Sequence, residues 1–125
     1  MKRNIELIRR ILLACEEHDQ NNGIPMTWKN LHLEDVPENV FNYHCDLMQQ
    51  AGFIDGATES YDDITHYSWI RMRNPGHDFL DDIRTPKIWN RLVKELGKTL
   101  ESASLAVIAG LAQRLVLQAL NLPQS

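Results

Sequence analysis

The chain has 125 residues, enough for one domain around one hydrophobic core. Apolar residues make up 43% and charged residues 24%, a globular composition that excludes a disordered or low-complexity chain. The formal net charge of −4 argues against a general polyanion binder but leaves room for a local basic patch.

Asn4 is placed to cap a first helix running to about His18, with Ile5, Ile8, Ile11, Leu12 and Cys15 on its buried stripe. Glu6 and Arg10 have the spacing of an i,i+4 pair on the other side. Lys2, Arg3, Arg9 and Arg10 make this end basic, which reads first as a solvated face and second as a phosphate contact. MKRNIELIRR is charged throughout and lacks the apolar core of a signal peptide. The most apolar run, Ala103 to Ala112, has ten residues, too few to span a bilayer, so a cytoplasmic protein without membrane contact is expected. Cys15 and Cys45 both fall on amphipathic helices and read as reduced core thiols.

His18 to Gly23 reads as a polar loop. Ile24, Met26 and Trp28 then alternate as in a half-buried strand, and the apolar phase slips to Leu31 and Leu33. A turn or bulge near Lys29-Asn30 accounts for the slip; a single helical turn starting at Thr27 is the alternative.

The best-specified stretch follows, DVPENVFNYHCDLMQQAGFI from Asp35 to Ile54. Asp35 is the expected helix cap, with Glu38 as the return half of a capping box and Pro37 in the first turn. Val40, His44, Leu47, Met48 and Ala51 share a face, and Gly52 is the expected stop. Phe53–Ala57 and Thr65–Met72 read as the strands of a hairpin, joined by the seven-residue loop TESYDDI. Asn74-Pro75 and Thr85-Pro86 each give a cap followed by proline at the first helical position. The first of these helices buries Phe79, Leu80 and Ile83; the second buries Ile88, Trp89, Leu92, Val93 and Leu96 and ends at Gly97. Ser102 or Ser104 caps a last helix reaching about Leu120, whose apolar surface extends from Leu105, Ile108 and Leu115 round to Val107, Leu111 and Leu117. That width predicts a homodimer through residues 102–120. Trp28, Trp69 and Trp89 read as core anchors.

MKRNIELIRRILL, FNYHCDLMQQAGFID and GHDFLDDIRTPKIWNRLVKEL, in that order, resemble a bacterial and phage family, domain of unknown function 2513. The resemblance implies a phage- or mobile-element context and no specific chemistry. The middle segment is also similar to the recognition helix of small winged-helix repressors, which implies a fold and not an activity. The expected architecture is α+β: a winged helix-turn-helix-like domain with a short hairpin wing and additional C-terminal helices. Residues 1–73 would form the winged core and 74–125 a helical extension packed on it, within one compact domain.

A recognition helix needs side chains that reach base edges and cations that bind phosphate. Asn39, Asn42, Asp46 and Gln49 are expected on the outward side of the central helix, with Arg71 and Arg73 nearby as cations. Between Asn30 and Ile70 there is no Lys or Arg, whereas Glu34, Asp35, Glu38, Asp46, Asp55, Glu59, Asp62 and Asp63 are acidic, a formal charge of −8. The leading expectation, favoured by architecture, is a phage- or mobile-element-linked transcriptional regulator that binds DNA; the alternative, favoured by charge, is a protein-interaction module or inhibitor that uses the acidic helix-and-wing surface without binding DNA. DNA and a basic protein are the two expected partners. His32, His44, Cys45 and His66 lack the close pairing of a zinc site, and His77-Asp78 and Asp81-Asp82 read as a solvated face. No catalytic role, metal or cofactor is expected.

Overall fold

A computed structural model of the chain describes residues 1–18, 24–99 and 102–120. The loop expected between His18 and Gly23 lies largely outside the described residues. Helix α1 (Ile5–His18) is capped as expected: the Asn4 Oδ1 accepts the Leu7 N–H at 3.2 Å. Its stripe Ile5, Ile8, Ile11, Leu12 and Cys15 is buried, together with Leu7. The expected Glu6–Arg10 pair does not form. Arg10 reaches Asp35 instead, through two hydrogen bonds of 2.8 and 2.7 Å, because a planar guanidinium matches a carboxylate edge better than a neighbouring side chain on its own helix.

The slip after Met26 resolves into two structures in series. Met26 pairs with Ile70 in an isolated antiparallel bridge. A single helical turn then begins at Thr27, where the Leu31 N–H donates to the Thr27 carbonyl at 2.9 Å, and His32 closes it at φ 57°. The turn places Leu31, Leu33 and Val36 in the core.

Helix α2 (Glu38–Gln50) begins two residues later than its cap motif suggests. Pro37 occupies the cap position and no side chain caps the helix. Asp35 is engaged by Arg10, and Glu38 accepts from His66 Nδ1 at 2.8 Å, so both halves of the expected capping box make tertiary contacts. The stop is as expected. Gly52 sits at φ 79°, its N–H reaching the Gln49 carbonyl and the Phe53 N–H the Met48 carbonyl.

Strands β1 (Ile54–Tyr61) and β2 (Ile64–Met72) form one antiparallel hairpin. The expected seven-residue loop is mostly strand. The reversal needs only Asp62 and Asp63, both left-handed at φ 54° and 59°, as a two-residue hairpin turn requires. A bulge between Ala57 and Thr58 leaves Ser68 unpaired on β2. It shifts the buried phase from Ile70 and Met72 to Tyr67.

Helices α3 (Asn74–Ile83), α4 (Pro86–Leu96) and α5 (Leu105–Ala119) follow, with a 3₁₀ turn at Gly97–Thr99. Asn74 is itself helical and does not cap α3; Arg73 holds the cap position. Thr85 occupies the α4 cap position without a side-chain bond, and Ser104 caps α5 by accepting the Val107 N–H at 3.1 Å. Phe79, Leu80, Ile83, Ile88, Trp89, Leu92 and Leu96 are buried, as expected. On α5 only Leu105, Ile108, Ala112 and Leu115 are fully buried, against α3 and α4, while Val107 and Leu120 stay exposed.

The C-terminal helices are tied back to α1. The Arg9 guanidinium donates to the Ile83 and Arg84 carbonyls and lies 5.3 Å from the Trp89 ring centre. Arg84 forms a two-pronged pair with Glu16, at 2.7 and 2.6 Å. One hydrophobic cluster runs from Ile5 to Leu115. Among the described residues, no helix is long and apolar enough to cross a membrane.

Candidate functional site

The candidate surface is built from α2 and the hairpin. Phe41, His44, Cys45 and Met48 form the buried stripe of α2. His44 is the buried polar residue of the core, at 1% exposure. Its Nδ1 lies 2.8 Å from the Val40 carbonyl and its Nε2 accepts the Asn4 N–H at 2.8 Å. Those two partners select the neutral tautomer protonated on Nδ1. His44 thereby satisfies the N-terminus of α1 from α2. Beside it, burial pushes the Cys45 thiol well above its ordinary range, which keeps it unreactive.

The next strip of α2 faces the hairpin. Asn42 donates to the Thr65 carbonyl at 2.8 Å, and its Oδ1 is buried with no hydrogen-bond partner among the described residues. The Tyr67 hydroxyl donates to Asp46 and, at 3.1 Å, to Gln49. Burial, then the hydrogen bond to the Asp46 carboxylate, raises the tyrosine above its ordinary range. Three of the four polar residues expected to face outward from α2 are therefore held by β2. Asn39 alone is exposed without such a contact. The bulge at Ser68 is the cause, because it turns Tyr67 toward α2.

Arg71 and Arg73, the expected nearby cations, both face Asp55, at 3.1 and 3.9 Å. Arg9 and Arg10 are engaged as described above. Around α2 and the hairpin, Glu34, Glu59, Asp62 and Asp63 are exposed and form no salt bridge among the described residues.

A second feature lies where the hairpin meets the Thr27 turn. Trp28, Tyr61, His66 and Tyr67 line a cleft of about 440 Å³ with Glu38 and Glu59. Of the three expected core anchors, Trp89 is buried, Trp28 is partly buried against the core, and Trp69, at 39% exposure, is not a core residue. Residues 58–64 resemble a polar loop in the sequence, so this cluster is hidden there. The aromatic density of YDDITHYSW is its one visible signal.

Asp78, Asp81 and Asp82 line another depression between α3 and α5. Asp82 is raised above the usual carboxylate value by partial burial first and by Asp78 and Asp81 second. Asp81 pairs with Arg84 at 2.8 Å. No three of the described His, Cys, Asp and Glu side chains are grouped as a metal ion requires.

No solved structure matches the chain. It is similar to a Haemophilus influenzae protein named only as uncharacterized, at 33% identity over 124 residues that cover 96% of this chain and 99% of the relative. The family model described as "Hypothetical protein (DUF2513)" matches residues 2–103. With its helices α1 to α4 and the whole hairpin inside that match, the chain belongs to the DUF2513 family.

Proposed function

We propose that this protein is a protein-interaction module that presents the acidic α2–hairpin surface to a basic partner, within a phage- or mobile-element-linked bacterial system. The observation that carries the reading is charge combined with internal hydrogen bonding. Residues 30–70 hold eight carboxylates and no Lys or Arg, and Asn42, Asp46 and Gln49 on the polar face of α2 are hydrogen-bonded to β2, although Asp46 and Gln49 stay exposed. Non-specific DNA affinity comes from phosphate neutralisation, with a salt slope of about 0.9 per contact; residues 30–70 supply no cation to make one, and Arg71 at the end of β2 is paired with Asp55. The mobile-element context rests on the family resemblance.

A DNA-binding regulator of winged-helix type is the second reading. The order of α1, a bridged extended segment, α2 and a hairpin favours it. It would have to dock through the basic residues of α1 and the end of β2, where Arg9, Arg10, Arg71 and Arg73 already have internal partners. A homodimer through residues 102–120 keeps Val107 and Leu120 as its exposed apolar support.

Affinity capture from the native host tests the main reading. Asp62→Asn with Asp63→Asn removes two charges at the hairpin tip, and Asn tolerates the left-handed backbone there. The wild type should retain a basic protein in a salt-sensitive manner, and the variant should lose it. Equal capture by both proteins would count against the acidic surface.

A further inference from the structure

The cleft between the Thr27 turn and the hairpin has the makings of a cation site. Two of its aromatic side chains, Trp28 and Tyr67, are fixed by bonds made at their polar ends. The Trp28 indole N–H donates to the Leu33 and Val36 carbonyls, at 2.7 and 2.8 Å. The Tyr67 hydroxyl is held by Asp46 and Gln49. His66 is bonded to Glu38, and the Tyr61 ring stacks on it with centres 4.1 Å apart and planes 11° apart. With their polar ends engaged, Trp28 and Tyr67 can offer a ligand π surface, and the Tyr61–His66 stack adds a second aromatic wall.

Two carboxylates, Glu38 and Glu59, stand among the rings, and Glu59 is exposed with no salt bridge among the described residues. Aromatic faces beside carboxylates attract a cation that tolerates partial desolvation. Arginine suits this best, because its planar guanidinium is weakly hydrated, stacks on rings and meets a carboxylate edge-on. Lysine, a compact and strongly hydrated charge, suits it less. The volume of about 440 Å³ accommodates one long side chain with the backbone that carries it.

We infer that this cleft binds an arginine side chain of a basic partner protein, held between the Tyr61–His66 stack and Trp28 with Glu59 and Glu38 as counter-charges. The inference deepens the acidic-surface reading and rests on its choice of a basic protein partner. Lys29 also lines the cleft and opposes the incoming charge. It sets the sign of one control.

The test is an NMR titration of the full chain with a short peptide carrying one arginine between glycines, compared with its citrulline and lysine counterparts. Saturable shifts are expected at the Trp28 indole N–H and at the Tyr61 and His66 rings. Affinity should fall by about fivefold or more with citrulline, and by a similar factor with Tyr61→Ala or Glu59→Gln. Tyr61 and Glu59 are exposed, so these variants should fold. Lys29→Met should tighten binding. Unmoved rings, or citrulline or lysine peptides binding as well as arginine, would overturn the assignment. If the rings stay unmoved while Asp62→Asn/Asp63→Asn still releases the basic partner, the cleft is wrong and the acidic surface stands. If the arginine peptide binds while that double variant releases nothing, the cleft stands and the role given to the hairpin tip falls.

Discussion

At the scale of single residues, three positions carry sharp expectations. His44 bonds two backbone groups inside the core, so His44→Phe strands the Asn4 N–H, while the Val40 carbonyl keeps its helical bond. Leaving a buried polar group unpaired costs about 1–3 kcal/mol, and urea unfolding should show a loss in that range. Gly76 lies so close to β1 that a Cβ would sit 2.3 Å from the Phe53 carbonyl oxygen. That oxygen also accepts the Arg73 N–H at 2.9 Å, so it cannot move aside freely. Gly76→Ala should cost about 3 kcal/mol by overpacking, with the midpoint shifted and the slope unchanged. Asp82 has a raised folded-state pKa, so the folded chain binds more protons than the unfolded chain between the ordinary carboxylate value of 3.8 and the raised one. Its ionisation therefore lowers stability as pH rises through that window. Asp82→Asn should raise the melting temperature at pH 7 and leave it unchanged well below the carboxylate range. His44 was legible as a hydrogen-bonded core histidine from its place on the stripe. The burden on Gly76 was not, because it depends on how closely two distant segments approach.

Among the elements, helix stops were easier to read than helix starts. Gly52 and Gly97 both adopt positive φ at the ends of their helices, a local demand that a glycine announces by itself. Asp35 and Glu38 had the spacing of a capping box, yet each bonds a residue more than twenty positions away. Long-range partners compete with local caps and leave no mark in a local pattern. The hairpin was misjudged for a related reason. Asp62-Asp63 is a weaker turn signal than Asn-Gly, so the strands appeared to end early. Left-handed backbone costs an ordinary residue roughly 1–2 kcal/mol, and less for Asp, so Asp63→Gly should stabilise the chain by about 1 kcal/mol in urea unfolding. No gain, or a loss, would mean that the Asp63 side chain contributes to the turn. The bulge at Ser68 was also invisible, and it decides the site: without it Tyr67 would point away from α2.

For the whole molecule, charge placement outweighs topology. The order of elements invites comparison with DNA-binding folds, but Arg10, Arg71 and Arg73, the arginines beside α2 and the hairpin, are paired with carboxylates of the fold. Arg10 and Arg84 bind Asp35 and Glu16 across segments, and each holds its partner carboxylate below the usual range. Such carboxylates stabilise the fold above their ordinary values and lose that contribution as pH falls through the lowered ones. Acid unfolding should therefore begin below about pH 4, and Arg84→Gln should blunt it by removing the Glu16 linkage. Glu34, Glu59, Asp62 and Asp63 are left to solvent around α2 and the hairpin, where a duplex would meet them. The most direct measurement is binding of fluorescent duplexes, random-sequence and native-promoter, to the full chain at low and moderate salt. No complex is expected even at about 50 mM salt, where phosphate attraction is strongest. A complex at low salt that weakens as salt rises, and that is lost with Asn39→Ala or Gln49→Ala, would contradict the acidic-surface account and restore α2 as a reader of DNA.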